Sequence, residues 1–223
     1  SPMTNSVAVD RVVDFDDPSW NEFVIGHDHG TCFHLLEWAK IAAVVGGWEP
    51  YYLIAQAQGK VCGVLPLVHV KNRFTREALV STPFCVYGGV VANDEHTRTV
   101  LENAASELAR KLRVTHLEVR QRRHSNVDWR TSDLYFSFRK TLLENEEENM
   151  AAIPRKQRAM VRKGIKAGLT AEFGHDVETF YELFSIGMRN LGTPVYPQRL
   201  FDALVGVFGD MVEIVIVRHQ NKP

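Results

Sequence analysis

Apolar and polar positions alternate along the chain with two different periods. Val100, Leu101, Ala104 and Leu108 recur at the three- and four-residue spacing of a helix, whereas residues 115–120 follow the two-residue period of a strand. For the first half of the chain, these patterns predict a strand at 7–15, a helix starting near 16–18, a helix at 33–45, strands at 51–57, 61–70 and 77–81, and a helix at 94–112. For the second half, they predict strands at 115–120 and 134–142, helices at 153–169, 178–190 and 198–208, and a strand at 213–217. These elements indicate an α/β (α+β) protein with a mixed central sheet flanked by helices.

The order of elements restarts in the last quarter of the chain. A shift of 162 positions places helix on helix and strand on strand, and it pairs Gly47 with Gly209, Ile54 with Ile216, Gln58 with Gln220, and Lys60 with Lys222. Agreement of element order, turn position and apolar phasing indicates an internal repeat. We therefore expect an N-terminal domain over 1–145, a basic connecting helix within 146–169, and the incomplete start of a second copy over 170–223.

Composition and charge exclude several classes of protein. With 223 residues, 45% of them apolar, the chain can bury a sizeable core, and its formal net charge of -1 creates no overall field that attracts nucleic acid or an anionic membrane. No apolar run approaches the roughly 18 residues that span a bilayer, and the N-terminus lacks the order of a secretory signal. These features predict a cytoplasmic protein.

Metal-type side chains match no common site. Four of them fall within eight positions, namely His27, His29, Cys32 and His34, but zinc sites usually need two well-separated ligand pairs. No metal site is therefore predicted. The three cysteines, Cys32, Cys62 and Cys85, have no framework spacing and an odd count, which predicts reduced thiols packed as small core residues.

The strongest local signal is a basic helix that Pro154 opens and Gly168 ends. Its cations form a stripe on one side, with Arg155, Arg158, Arg162 and Lys166 within about 80° of one another and Lys163 beside them. Arginine forks and lysine ammonium groups suit phosphate, so a pyrophosphate, a CoA tail or an RNA backbone fits this stripe. The alternative is a solvated face balanced by the acidic residues at 144–148.

Two loops are further candidates for substrate binding. Arg189, Asn190, Thr193 and Tyr196 flank Gly192 in a loop that either lines a cleft or simply ends one helix and begins the next. Tyr87 and Gly88 belong to a Pro- and Gly-rich run at 83–89. There the adjacent glycines allow either close approach of a ligand or a tight bend of the sheet.

Other chemistry receives little support from the sequence. Glu118 and Arg120 share one face of a predicted central strand, where they either form a structural ion pair or face a cleft. No nucleophile elbow, P-loop or dinucleotide fingerprint is present, so hydrolase, kinase and dehydrogenase functions lack a motif, and no catalytic residue is assigned.

Four segments together resemble the Fem family of aminoacyl and peptidyl transferases within the GNAT superfamily. They are residues 33–38, residues 83–89, the basic helix and residues 190–194, and they look like the Fem-related proteins that accompany bacterial exosortase and exopolysaccharide systems. The order strand, two helices, three strands, helix, strand is also that of a GNAT-like acyltransferase fold. The resemblance covers essentially the whole chain after Met3.

The resemblance implies transfer of an acyl or aminoacyl group to an amine or hydroxyl of a cell-envelope or exopolysaccharide precursor. The donor would be an acyl-CoA or an aminoacyl-tRNA, used as a substrate rather than as a tightly bound cofactor. Basic residues would hold a phosphate of the acceptor, which suits Arg155, Arg158, Arg162 and Lys166. The Gly-rich pyrophosphate loop expected for a CoA donor is not evident, so we expect this part of the protein to lack the donor site and to be inactive alone.

Two other functions remain open at this stage. The basic helix could serve a non-catalytic module that binds RNA or an anionic glycan precursor. The last predicted strand, at 213–217, has no following partner in the sequence, so it also permits a homo-oligomer formed through that strand.

Overall fold

The computed structural model describes residues 6–71 and 76–223. They form two compact units, unit 1 up to Thr131 and unit 2 from Ser132. Unit 1 contains β1 Ala8–Arg11, α1 Ser19–Gly26, a 3₁₀ turn Cys32–His34, α2 Glu37–Gly46, β2 Glu49–Pro50, β3 Leu53–Ala57, β4 Lys60–Leu65, β5 Leu67–Val70, β6 Ala78–Ser81, β7 Val91–Ala92, α3 Glu95–Leu112 and β8 His116–Glu118. Unit 2 contains α4 Glu146–Ala152, α5 Arg155–Lys166, β9 Thr170–Gly174, α6 Val177–Asn190, α7 Gln198–Phe208, a 3₁₀ turn Gly209–Met211 and β10 Ile214–Arg218.

Two four-stranded sheets make up the centre of unit 1. One has the order β1-β3-β4-β7 and the other β2-β5-β6-β8, and only the β6–β8 pair is parallel. The sequence predicted one strand over 61–70, but Pro66 divides it into β4 and β5, which belong to different sheets. Proline carries no N–H to donate to a ladder, so a strand commonly breaks at this residue.

A tight hairpin joins β3 and β4, as the sequence predicted. Gln58 and Gly59 both take positive φ angles, 51° and 73°, which is the requirement of a two-residue turn of the primed kind. The ladder shifts register between Ala55 and Gln56 at a bulge or similar irregularity.

Helix α3 provides the crossover that two parallel strands require. The Asp94 side chain accepts a hydrogen bond of 2.7 Å from the Thr97 backbone N–H and so caps the helix. Leu101 and Ala105 lie one turn apart and are fully buried. They belong to one apolar core cluster of unit 1, whose buried members are Leu53, Ala55, Leu65, Leu67, Leu79, Val90, Leu101 and Ala105.

Unit 2 is built around an antiparallel β9–β10 pair and two helices. Phe201 of α7 packs edge-on against Phe180 and Phe184 of α6, with ring centroids 4.9 and 5.3 Å apart. Leu200, Phe208 and Ile216 are the buried apolar residues of this unit. Helices α6 and α7 confirm the two helices predicted at 178–190 and 198–208.

One strand pair of unit 2 has the same register as a strand pair of unit 1 with a shift of 162 positions. In unit 1, Ala8 of β1 pairs with Gln56 of β3, and adding 162 to each gives the pair of Thr170 with Arg218 seen in β9 and β10. The turn after the second strand repeats as well, because Gln220 and Asn221 have φ angles of 51° and 64°. One strand pair and the turn after it thus have the same register and backbone conformation at this shift; the division into a domain and the start of a second copy stays a prediction.

Several elements differ from the sequence prediction. The predicted strand at 134–142 is wrong: these residues form no strand, and Tyr135 and Phe138 are 93% and 95% exposed. An alternating pattern alone does not make a strand, since the backbone groups also need a partner strand. Conversely, β7, α4 and β9 were not predicted.

Cys85 is buried as expected for a core thiol, but Cys32 is exposed. Within residues 6–71 and 76–223, no helix is long and apolar enough to cross a bilayer.

Candidate functional site

The parallel strands β6 and β8 end at the same edge of their sheet, and the loop 82–90 begins there. Beyond the paired residues, the Arg120 backbone N–H donates to the Ser81 hydroxyl at 2.8 Å, and the Gly88 N–H donates to the Arg120 carbonyl at 2.9 Å. The loop is therefore attached to the chain that follows β8. Thr82 and Phe84 both take positive φ angles, 41° and 71°, which non-glycine residues rarely adopt.

The two glycines of this loop are required by close packing of the protein itself. A Cβ on Gly88 would lie 2.2 Å from the Thr82 Oγ1, and one on Gly89 would lie 2.3 Å from the Gln121 Cβ. Both distances are well inside van der Waals contact. The structure thus gives Gly88 and Gly89 a role in the tight bend, and the Gly88 N–H is already bonded.

His34 joins the loop 27–34 to the loop 82–90. Its Nε2 lies 3.1 Å from the Gly89 carbonyl oxygen, and its Nδ1 lies 2.8 Å from the Thr31 hydroxyl. Because a carbonyl only accepts, Nε2 carries the proton and Nδ1 accepts from Thr31. Burial lowers the pKa of His34 to about 4, so the imidazole is neutral near pH 7 with both nitrogens engaged.

A buried carboxylate organises the segment after β8. Glu102 of α3 is fully buried and accepts from the Asn126 N–H at 2.8 Å, from the Ser125 hydroxyl at 3.0 Å and from the Gln121 amide at 3.5 Å. Its other neighbour is Arg98, one helical turn earlier, at 3.7 Å. Buried charges persist in proteins when they are paired and hydrogen-bonded in this manner.

These elements surround a cavity of about 240 Å³. It is lined by His29, His34, Tyr87, Gly89, Val90, Arg98, Gln121, Arg122 and Arg123. Of the residues predicted as substrate-binding from sequence, Tyr87 lies in this lining. The cavity is the candidate functional site of unit 1.

Sequence reasoning did not find the other polar residues of the cavity. Arg98 and Glu102 are four positions apart and lie inside the apolar stripe of α3, between the buried Thr97, Leu101 and Ala105. Burying a charged residue without a partner costs free energy. Two oppositely charged residues four positions apart within an apolar stripe therefore indicate a buried polar network.

Arg120, Glu118 and His27, which the sequence analysis also considered, have hydrogen-bond partners within unit 1. Arg120 donates from Nε to Glu118 at 2.6 Å and from Nη1 to the Cys85 carbonyl at 3.0 Å, so these two charges form the ion pair that was one of the two sequence interpretations. His27 binds the Ala92 carbonyl through Nε2 at 3.2 Å and accepts the His29 N–H at Nδ1. In the described part of the chain, no group of three or more His, Cys, Asp or Glu side chains is placed to hold a metal ion.

The predicted basic helix is present as α5 in unit 2. Its cationic residues are exposed except for the half-buried Arg158, which donates to the Ala151 carbonyl at 3.2 Å. A groove of about 430 Å³ between α4 and α5 is lined by Glu146, Glu147, Met150, Ala151, Arg158 and Arg162. Although acidic and basic residues face the same groove, none of the ion pairs found within residues 6–71 and 76–223 involves α5.

The loop after α6 holds the other predicted residues. Gly192 has a φ of 68°, and the Thr193 N–H donates to the Met188 carbonyl at 3.0 Å, so Gly192 serves as a helix C-cap. Arg189, Asn190, Thr193 and Tyr196 are exposed around it. The 162-position shift places them on His27, Asp28, Thr31 and His34, which form the loop beside the cavity of unit 1.

The geometry defines a mixed α/β fold, and comparison with known structures supports this fold class. No family model matches the chain, and no curated protein matches its sequence. Six chains of known structure do match it. One of them, reported as the crystal structure of FemX, aligns with 94% of this chain at a TM-score of 0.64 and 19% sequence identity.

The chain covers 57% of the length of that FemX chain. A TM-score of 0.64 establishes a shared fold, and the predicted fold class is confirmed: the chain has a Fem-like, mixed α/β architecture. Assignment to the exosortase-associated subgroup stays a prediction.

Proposed function

We propose that the protein to which this chain belongs transfers an acyl or aminoacyl group to an amine or hydroxyl of a phosphate-bearing cell-envelope or exopolysaccharide precursor. The cationic stripe of α5 on a Fem-like fold is the observation that carries this proposal. According to this proposal, α5 binds the phosphate of the acceptor, and an acyl-CoA or aminoacyl-tRNA delivers the transferred group.

The stripe has the properties of a phosphate site. Arg155, Arg162 and Lys166 are exposed and have no carboxylate within 4 Å among the described residues. Like charges one turn apart on a helix repel one another, so this arrangement is stabilised when an anion binds across it. Arg189, Asn190, Thr193 and Tyr196 are further acceptor-binding candidates in the same unit.

Unit 1 contributes binding and positioning in this proposal. His34 has both ring nitrogens engaged, so it is not available as a general base without breaking a hydrogen bond. Rate enhancement would then come from holding two substrates in a reactive orientation and from hydrogen-bond donors that stabilise the carbonyl oxygen. This does not require a catalytic triad.

The same engagement of His34 favours a second candidate, a module that binds RNA or an anionic glycan precursor and performs no chemistry. An RNA backbone presents phosphates that suit the α5 stripe equally well. Mass spectrometry of a nucleotide-sugar acceptor, after incubation with the protein and each donor, separates the two candidates. An added acyl or aminoacyl mass supports transfer, whereas binding without a mass change under either donor supports the module.

A charge-reversal pair tests the role of α5. We expect R162E/K166E to weaken binding of a nucleotide-sugar precursor at least tenfold, because each charged hydrogen bond is worth about 1.5–3 kcal/mol. The matched control is R199E, an exposed cation on α7 outside the stripe. Isothermal titration calorimetry at fixed salt measures both. Equal affinities for the two variants would remove α5 from the site.

A further inference from the structure

We propose that the cavity of unit 1 is a binding site for an oxyanion, that is, for a phosphate or carboxylate group on a ligand. The proposal does not depend on transfer chemistry or on α5. It rests on the charge balance at the cavity, on a buried donor without an acceptor, and on the size of the space.

Positive charge is in excess around the cavity. Arg123 is paired with Glu95 at 2.7 Å, and Arg98 faces Glu102 at 3.7 Å. Arg122 has no carboxylate within 4 Å among the described residues, and its guanidinium carbon lies 5.1 Å from the centre of the Tyr87 ring. Three arginines against two carboxylates leave one cationic group whose charge no side chain balances.

Arg98 supplies an unused donor. The residue is 4% exposed and lines the cavity; its buried Nη1 lies 3.7 Å from a carboxylate oxygen of Glu102, beyond hydrogen-bond distance, and makes no hydrogen bond. Leaving a buried charged donor without an acceptor is unfavourable, so such groups in native structures call for an explanation. An anionic oxygen in the adjoining cavity provides the missing acceptor.

The surrounding network holds this donor in place before any ligand arrives. Arg98 donates from Nη2 to the Val90 carbonyl at 3.3 Å and faces Glu95 at 3.7 Å as well as Glu102. Glu102 only accepts, so the Gln121 amide nitrogen is directed toward it at 3.5 Å, while the Gln121 Oε1 is buried without a hydrogen bond. A preorganised donor loses little conformational freedom on binding.

The volume of the unit 1 cavity limits the size of the group that it can hold. A volume of about 240 Å³ lies below the range of about 300–1,000 Å³ typical of sites for drug-sized ligands. The cavity therefore accepts a compact charged group, while the rest of the ligand stays outside it. A phosphate and a carboxylate share this chemistry.

The test is titration calorimetry of the chain with inorganic pyrophosphate and, separately, with succinate, at constant ionic strength. We expect at least one of them to bind, and R122Q to weaken that binding about tenfold or more. The matched control is R110Q, which removes an exposed cation from the last turn of α3 and should leave affinity unchanged. Arg98 is left intact because its loss would leave Glu102 buried without its ion-pair partner.

Each outcome decides the proposal. Binding of pyrophosphate alone identifies a phosphate ligand, binding of succinate alone a carboxylate ligand, and binding of both a general oxyanion site. If neither ion binds, or if R122Q and R110Q behave alike, the proposal is wrong. R162E/K166E should retain the binding, and its loss in that variant with retention in R122Q would assign the anion to α5 instead.

Discussion

Strands β1 and β3 of unit 1 and strands β9 and β10 of unit 2 pair in the same register, but their side chains have different surroundings. Leu53 of β3 is 6% exposed, whereas Val215 at the equivalent position of β10 is 49% exposed. In unit 1, β4 pairs with β3 and α3 packs against it. None of the described residues of unit 2 occupies those two places. The two strand pairs thus share register and turn geometry, whereas burial of the equivalent side chains depends on the elements that cover them.

The two units differ even more clearly in their buried polar residues. The buried polar and charged residues of the described chain, His34, His69, Ser81, Thr82, Thr97, Arg98 and Glu102, all lie in unit 1. A polar network is stable in a protein interior only where packing excludes water and every partner is supplied. Unit 1 supplies most of these partners around its cavity, where Arg98 Nη1 and Gln121 Oε1 are buried without a hydrogen bond.

Removing Glu102 should have the largest effect. E102A leaves Arg98 buried without its partner and removes the acceptor of the Asn126 N–H, so we expect a loss of about 3–5 kcal/mol in the free energy of unfolding. The four tryptophans, at positions 20, 38, 48 and 129, all lie in unit 1, so tryptophan fluorescence during urea unfolding reports on this unit.

The control for E102A is E107A, an exposed glutamate on the same helix, for which a change within about 0.5 kcal/mol is expected. A small effect of E102A, close to that of E107A, would mean that water reaches the network in solution. The contrast in buried polarity between the units would then disappear.

The paired positions Leu53 and Val215 test the contrast in burial directly. L53A should destabilise β3 by about 2–5 kcal/mol because it leaves a cavity in the core of unit 1. V215A removes a half-exposed side chain and should cost about 0.5 kcal/mol or less. Hydrogen exchange of the β3 and β10 amides measures both effects by the same method. A comparable loss at both positions would show that Val215 is covered in solution.

The sequence predicted those parts of the fold that have local causes. Asp94 predicts the start of α3 because its carboxylate caps the helix. The Gln58–Gly59 pair predicts the hairpin because both residues accept a positive φ. Strand β9 was missed since all five of its residues are exposed and carry no clear alternation, and only its pairing with β10 makes it a strand.

The candidate site was less predictable, for a physical reason. Tyr87 was identified from its place in a Pro- and Gly-rich loop, but Arg98, Gln121 and Arg122 lie on segments that meet only through tertiary folding. The helical pattern places Arg98 on the buried face of α3 but does not identify the groups that surround such a charge. Its burial depends on Glu102 and on the segment after β8, and sequence periodicity does not reveal that contact.

Another predicted effect depends on pH and concerns His34, whose equivalent in unit 2 is Tyr196. Burial lowers the pKa of His34 to about 4, while an unfolded histidine titrates near 6.5, so below pH 6.5 the unfolded chain binds a proton that the folded chain does not. Stability is therefore lost as the pH falls from about 6.5 to 4, by up to about 3 kcal/mol, and no further below that range.

The variant H34Q lacks this titration, so its free energy of unfolding should decline less over the same interval than that of the wild type. Urea midpoints followed by tryptophan fluorescence at pH 7, 5.5 and 4 measure the difference, and the other titrating groups are common to both proteins. If the two pH profiles run parallel, His34 is protonated as readily in the folded as in the unfolded chain. The hydrogen bonds to Thr31 and Gly89 would then not hold the loops 27–34 and 82–90 together around a neutral imidazole. A profile that flattens in H34Q would instead show that the wall of the unit 1 cavity is built on that neutral ring, a feature without a counterpart at Tyr196.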